Sequence, residues 1–162
     1  MGLAISFWIL AVVGILSALG VVLLRNVFRA ALSLILCFLS VAGIYITLQA
    51  DFLAAVQILI YIGAISILII LAIMLTRDVV HGSPANRLQV PALIVGILFF
   101  IAVIWATVNT QWPISTASPQ APTTAGIGEK LFGANGFILP VELVPVLLLA
   151  AIVGAIVLVR EK

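Results

Sequence analysis

Charge is what this sequence has least of. Charged residues make up 7% of its 162 residues, against about 25% in ordinary soluble domains. Together with 65% hydrophobic residues and a mean hydropathy of +1.45, that shortage excludes a soluble globular protein. The length suits one integral membrane unit with no separate soluble domain. Cysteine is equally scarce: Cys37 stands alone, so neither an internal disulfide nor an iron–sulfur ligand set can be built. The single histidine, His81, sits in a polar stretch without carboxylates around it, and reads as a solvated loop residue rather than a metal ligand. Dinucleotide, P-loop and metal signatures are lacking too. Any redox cofactor is therefore expected elsewhere. The pI of 9.1 reflects a net charge of only +2, carried by basic residues near hydrophobic boundaries. That placement makes them topology signals and excludes a nucleic-acid partner.

What is abundant is long apolar runs. Five exceed or approach the roughly 20 residues that cross a bilayer as a helix: about 3–24, 30–48, 52–75, 90–108 and 141–159. The expected fold is an all-α integral membrane protein of five transmembrane helices in one domain, 1–162. The first run lacks a basic leader and is too long for a signal-peptide core, so it is expected to be retained. MGLAIS matches a myristoylation pattern formally, but it runs straight into a spanning segment. Gly14/Ala18 and Ala150/Gly154 are small pairs suited to close helix packing. A basic turn holds Arg25, Asn26 and Arg29. The connection Gln49–Ala50–Asp51 is so short that spans two and three must be antiparallel neighbours. The polar segment Arg77–Gln89 follows span three. A flexible outside loop is expected over 110–139, where proline, serine and threonine concentrate. With the N-terminus outside and the C-terminus inside, Arg25, Arg29, Arg77, Arg87, Arg160 and Lys162 fall inside and only Lys130 outside.

The third run, DFLAAVQILIYIGAISILIILAIMLT from Asp51 to Thr76, is the informative one. Gln57, Tyr61, Gly63 and Ser66 interrupt its hydrocarbon. Gln57 and Tyr61 are four apart and share a helix face, which must look into protein or water because lipid offers no hydrogen-bond partner. Gly63 costs a helix interior roughly 1 kcal/mol relative to alanine and marks a weak point in the winding. Asp51 just before this span, and Glu142 in the first turn of the last, are expected to cap or favour the positive helix ends. Pro140 suits a helix start, and Pro145 lies close behind it. No ionisable group lies deep within a span, which leaves the chain able to border a proton path but poorly equipped to be one.

Residues Ala50–Thr76, with Leu39–Gln49, Gly128–Phe132 and Val141–Arg160, resemble the J-type membrane subunit of respiratory complex I, the counterpart of mitochondrial subunit six. The resemblance implies a membrane-arm subunit of proton-translocating NADH:quinone oxidoreductase in a bacterial-type cytoplasmic membrane. It implies no cofactor on this chain, while the whole complex would use NADH, FMN, iron–sulfur clusters and quinone. The partners implied are the small K-type subunit, the quinone-site H-type subunit and the antiporter-like subunits. It further implies a π-bulge at Tyr61, Ile62, Gly63 and Ala64 whose winding gates a water path, with Gln57 and Ser66 on a polar face. Some members of that family carry an acid where Gln57 stands, so direct proton transfer at this position is not implied here. The alternative from another class is a small independent oligomeric transporter or channel. A third reading makes Gln57 and Tyr61 simple hydrogen-bonding glue between helices.

Overall fold

A computed structural model of the chain describes residues 1–76, 89–112, 123–134 and 136–159. His81 and the basic residues Arg77, Arg87, Arg160 and Lys162 lie outside the described residues. The described elements are helices: α1 (Gly2–Leu23), α2 (Val27–Thr47), α3 (Asp51–Leu75), α4 (Gln89–Asn109), α5 (Thr123–Phe132) and α6 (Ile138–Val159). All but α5 are long and apolar enough to cross a membrane.

The second span begins earlier than its apolar run suggests, because Asn26 caps it. The Asn26 Oδ1 accepts the Arg29 backbone N–H at 3.2 Å, satisfying one of the free donors of the first turn. Arg29 therefore sits inside the first turn of α2 rather than in a loop before it. At the other end, Gln49 adopts φ 58°, in the left-handed region. The Ala50 N–H then donates to Tyr45 O at 2.9 Å and the Gln49 N–H to Ile46 O at 3.0 Å. This paired closure ends a helix in a single left-handed residue and turns the chain back at once. It makes α2 and α3 antiparallel neighbours, as the short connection requires.

The centre of the bundle is the reverse of a soluble core. Its buried residues are small or polar (Ser17, Ala31, Ser40, Ala42, Ala54, Gln57 and Ser66), while leucines and isoleucines cover the outside. In lipid, helices gain nothing from burying leucine against leucine, and close backbone approach decides where they meet. Gly20 is such a point: a Cβ there would collide with Ser33 Oγ. That hydroxyl donates to Ser17 O at 2.8 Å, joining α1 to α2. Gly43 is a second point, where a Cβ would lie 2.8 Å from Leu10 Cδ1. Gly14 is less crowded, with 3.5 Å between its virtual Cβ and Ser40 Cβ.

The stretch 110–139 is not all loop. It contains α5, whose half-buried Thr123, Ile127 and Leu131 recur every fourth residue along one face. The helix closes when Gly133 N–H donates to Glu129 O at 2.7 Å and Phe137 N–H to Lys130 O at 2.8 Å. A Cβ at Gly136 would lie 2.7 Å from Lys130 O, so this turn needs its glycine. Because the turn ends at Phe137, α6 starts at Ile138 and Pro145 falls inside the helix. Among the described residues, α4 packs against no other helix and α6 touches only α5.

Candidate functional site in the third span

The third span is wound in three parts: α from Asp51 to Val56, π from Gln57 to Ser66, and α again from Ile67 to Leu75. The serines make the change visible. The hydroxyls of Ser6, Ser17 and Ser40 donate to carbonyls four residues back, at Gly2, Val13 and Leu36, with distances of 3.1, 2.8 and 2.9 Å. The Ser66 hydroxyl donates five residues back, to Tyr61 O, at 2.7 Å. It follows the wider winding and helps to hold it.

Winding decides which side chains share a face. From Gln57 to Ser66 the π winding, at roughly 4.4 residues per turn, makes about two whole turns. The same steps at the α value of about 3.6 residues per turn make two and a half. Gln57 and Ser66 therefore fall on one face in the π form and on opposite faces in the α form. In this structure both are buried, with relative exposures of 7% and 1%. Burial of both residues on one side thus goes with the π winding between them.

The residues between them point elsewhere. Tyr61 borders the buried face at 42% exposure, and its ring meets Phe38 of α2 edge-on, centroids 5.5 Å apart and planes at 74°. Ile62 is half-buried, whereas Gly63 and Ala64 are exposed. A Cβ on Gly63 would lie 3.3 Å from the carbonyl oxygen of Ile58, five residues back.

Residues 17–158 match the family described as NADH-ubiquinone/plastoquinone oxidoreductase chain 6. The chain is 38% identical over 160 residues to the F(420)H(2) dehydrogenase subunit J of Methanosarcina mazei, covering 96% of this chain and 90% of that protein. It is 44% identical over 163 residues to the NAD(P)H-quinone oxidoreductase chain 6 of Leptolyngbya boryana, covering 98% and 80% respectively. The corresponding Synechocystis protein is 44% identical over 161 residues, covering 97% of this chain and 80% of that protein. The chain belongs to the chain 6 family.

Two acids of this chain 6 family member stand differently from their expected places. Asp51 is the first residue of α3, and the capping position falls to Ala50, which has no side chain suited to it. Asp51 is exposed in the first turn, where its charge faces the positive helix end. Glu142 is not in the first turn of α6, because that helix starts at Ile138; it is exposed one residue further along. Neither acid reaches the buried face of Gln57 and Ser66. Asp51→Asn is accordingly expected to cost at most about 1 kcal/mol of helix stability and to leave quinone reductase turnover largely intact. A severe loss of proton pumping in a normally assembled complex would give Asp51 a direct part in proton movement.

Sequence reasoning missed two contributors. Phe38 was indistinguishable from other apolar residues of α2 until its contact with Tyr61 was seen. Thr123 lies at the edge of the proline-rich stretch, yet its hydroxyl accepts the Phe52 backbone N–H at 3.3 Å, at the start of α3. The spacing of Thr123, Ile127 and Leu131 was the available signal for its helix. Among the described residues, no group of histidines, cysteines and acids is placed to hold a metal.

Proposed function

We propose that this chain is a membrane-arm subunit of a proton-translocating NADH:quinone oxidoreductase, and that the π segment of α3 couples quinone reduction to proton movement. In this reading, the segment between Gln57 and Ser66 rewinds between π and α forms. The rewinding turns the lower half of α3 by about half a turn relative to the upper half. In the π form the Gln57 amide and the Ser66 hydroxyl oxygen, whose proton goes to Tyr61 O, lie on one face as partners for water. In the α form that face is broken, and the water path past it closes.

The observation that carries this reading is the burial of both polar residues on one face by π winding. Membership of the chain 6 family supports the subunit role, and the relatives' names attach that role to more than one electron donor. That α4 meets no other helix among the described residues supports it too, since such a helix is completed by lipid or by other subunits. Those partners are the K-type, H-type and antiporter-like subunits. NADH, FMN, iron–sulfur clusters and quinone belong to them and to the soluble arm rather than to this chain. The N-terminus is placed outside and the C-terminus inside a bacterial-type cytoplasmic membrane, on the distribution of arginine and lysine.

The test is purification in mild detergent through a C-terminal tag, with mass spectrometry of the proteins retained. Antiporter-like membrane subunits and iron–sulfur proteins are the expected companions, and the soluble module found will identify the electron donor. A homo-oligomer surviving gentle extraction alone would instead favour an independent transporter.

A further inference from the structure

The start of α3 is held from outside its own sequence. A helix leaves its first N–H groups without internal partners, and the usual remedy is a side chain immediately before it. Ala50 occupies that place here and makes no such bond. The Phe52 N–H is accepted instead by Thr123 Oγ1 at 3.3 Å, across 71 residues of sequence. Thr123 is the first residue of α5, and it lies on the same half-buried face as Ile127 and Leu131. That helix contacts both the start of α3 and α6.

We propose that Thr123 is a positioning residue for α3, and that α5 is a strut bracing the end of the span from which the π segment is entered. If α3 rewinds, one of its ends must turn relative to the bundle. A hydrogen-bonded end resists turning, so rotation passes to the other half, from Ile67 to Leu75. Without the strut, rewinding is shared between both ends and less of it reaches the far half. This rests on the hinge reading for its effect on coupling; the bond itself stands on geometry alone.

The test compares Thr123→Val, which keeps the shape and removes the hydroxyl, with Thr123→Ser, which keeps the hydroxyl. Both are introduced into the whole complex in inverted membrane vesicles. NADH and reduced F420 are tried in parallel, and the one that drives quinone reduction is used. Hydrogen exchange of the peptide containing Phe52 reads the bond, and protons translocated per electron read its consequence. In Thr123→Val, exchange at Phe52 is expected to quicken about fivefold. Protons per electron are expected to fall by about half while electron transfer persists, with Thr123→Ser matching the parent in both. Unchanged exchange in Thr123→Val would overturn the strut. Faster exchange with unchanged proton yield would overturn its positioning role while leaving the bond in place. If Thr123→Val does not assemble, Thr123→Ala removes the same hydroxyl; failure of both would make the residue a folding requirement and sink the proposal. A failed hinge is recognised separately, by a Gly63 variant that pumps normally.

Discussion

Gly63→Val is expected to uncouple the complex: electron transfer continues, while protons translocated per electron fall by more than half. The new Cβ would sit 3.3 Å from the Ile58 carbonyl, and the neighbour must give by a few tenths of an ångström. Valine adds two branches that leave little freedom at χ1. Valine thus stiffens the backbone at the point where glycine leaves it free to change its winding. A segment stiffened in this way no longer passes between the π and α forms, which the proposed hinge requires. Gly63 is itself exposed, so bulk there intrudes on no packed neighbour within this chain, and assembly is expected to survive. The measurement is dye-reported acidification of inverted vesicles alongside the rate of quinone reduction. Parent-like pumping in an assembled variant would rule out the hinge.

Gly20→Val is expected to act on assembly instead. A Cβ at Gly20 collides with Ser33 Oγ, the hydroxyl that bonds Ser17 O across the α1–α2 contact. Either the Ser33 hydroxyl turns away and loses Ser17 O, or the two helices move apart. Separating them exposes Ser17 and Ser33 to lipid and breaks the hydrogen bond together with its packing. Loss of the subunit from membranes, and with it of intact complex on native gels, is the expected result. Gly14→Ala is the control, since its added methyl would rest 3.5 Å from Ser40 Cβ, an ordinary contact. A fully assembled Gly20→Val complex would show that the two helices do not depend on this crossing.

The five spans were legible because length and freedom from charge identify a membrane helix without knowledge of its neighbours. Boundaries were less so. Asn26 set the start of α2, and the closing turn after α5 set that of α6, moving Glu142 out of the first turn. Both depend on hydrogen bonds that hydropathy does not record. The contact points at Gly20 and Gly43 were hidden for another reason: a small residue marks a site of approach only once its facing residue is known. In α3 the polar residues stood out against hydrocarbon, and Gly63 marked a weak point. The π winding itself came from the family resemblance, not from periodicity. Across the ten residues the two windings part by only about half a turn, too little for a pattern to register among side chains that are almost all apolar. Helix α5 was obscured by its proline- and threonine-rich approach.

Among the described residues α4 meets no other helix, which bears on how such a protein is made. A span such as α4, which meets no other described helix of its chain, enters the bilayer by hydrophobicity alone, and no described contact tells it where to settle. Its final address is supplied by neighbours synthesised separately. The abundance of the folded form is then set by how fast those neighbours arrive, and a surplus copy remains half-built in the lipid, open to membrane proteases. Stoichiometry among the subunits thus enforces itself through the fate of the unaccompanied chain.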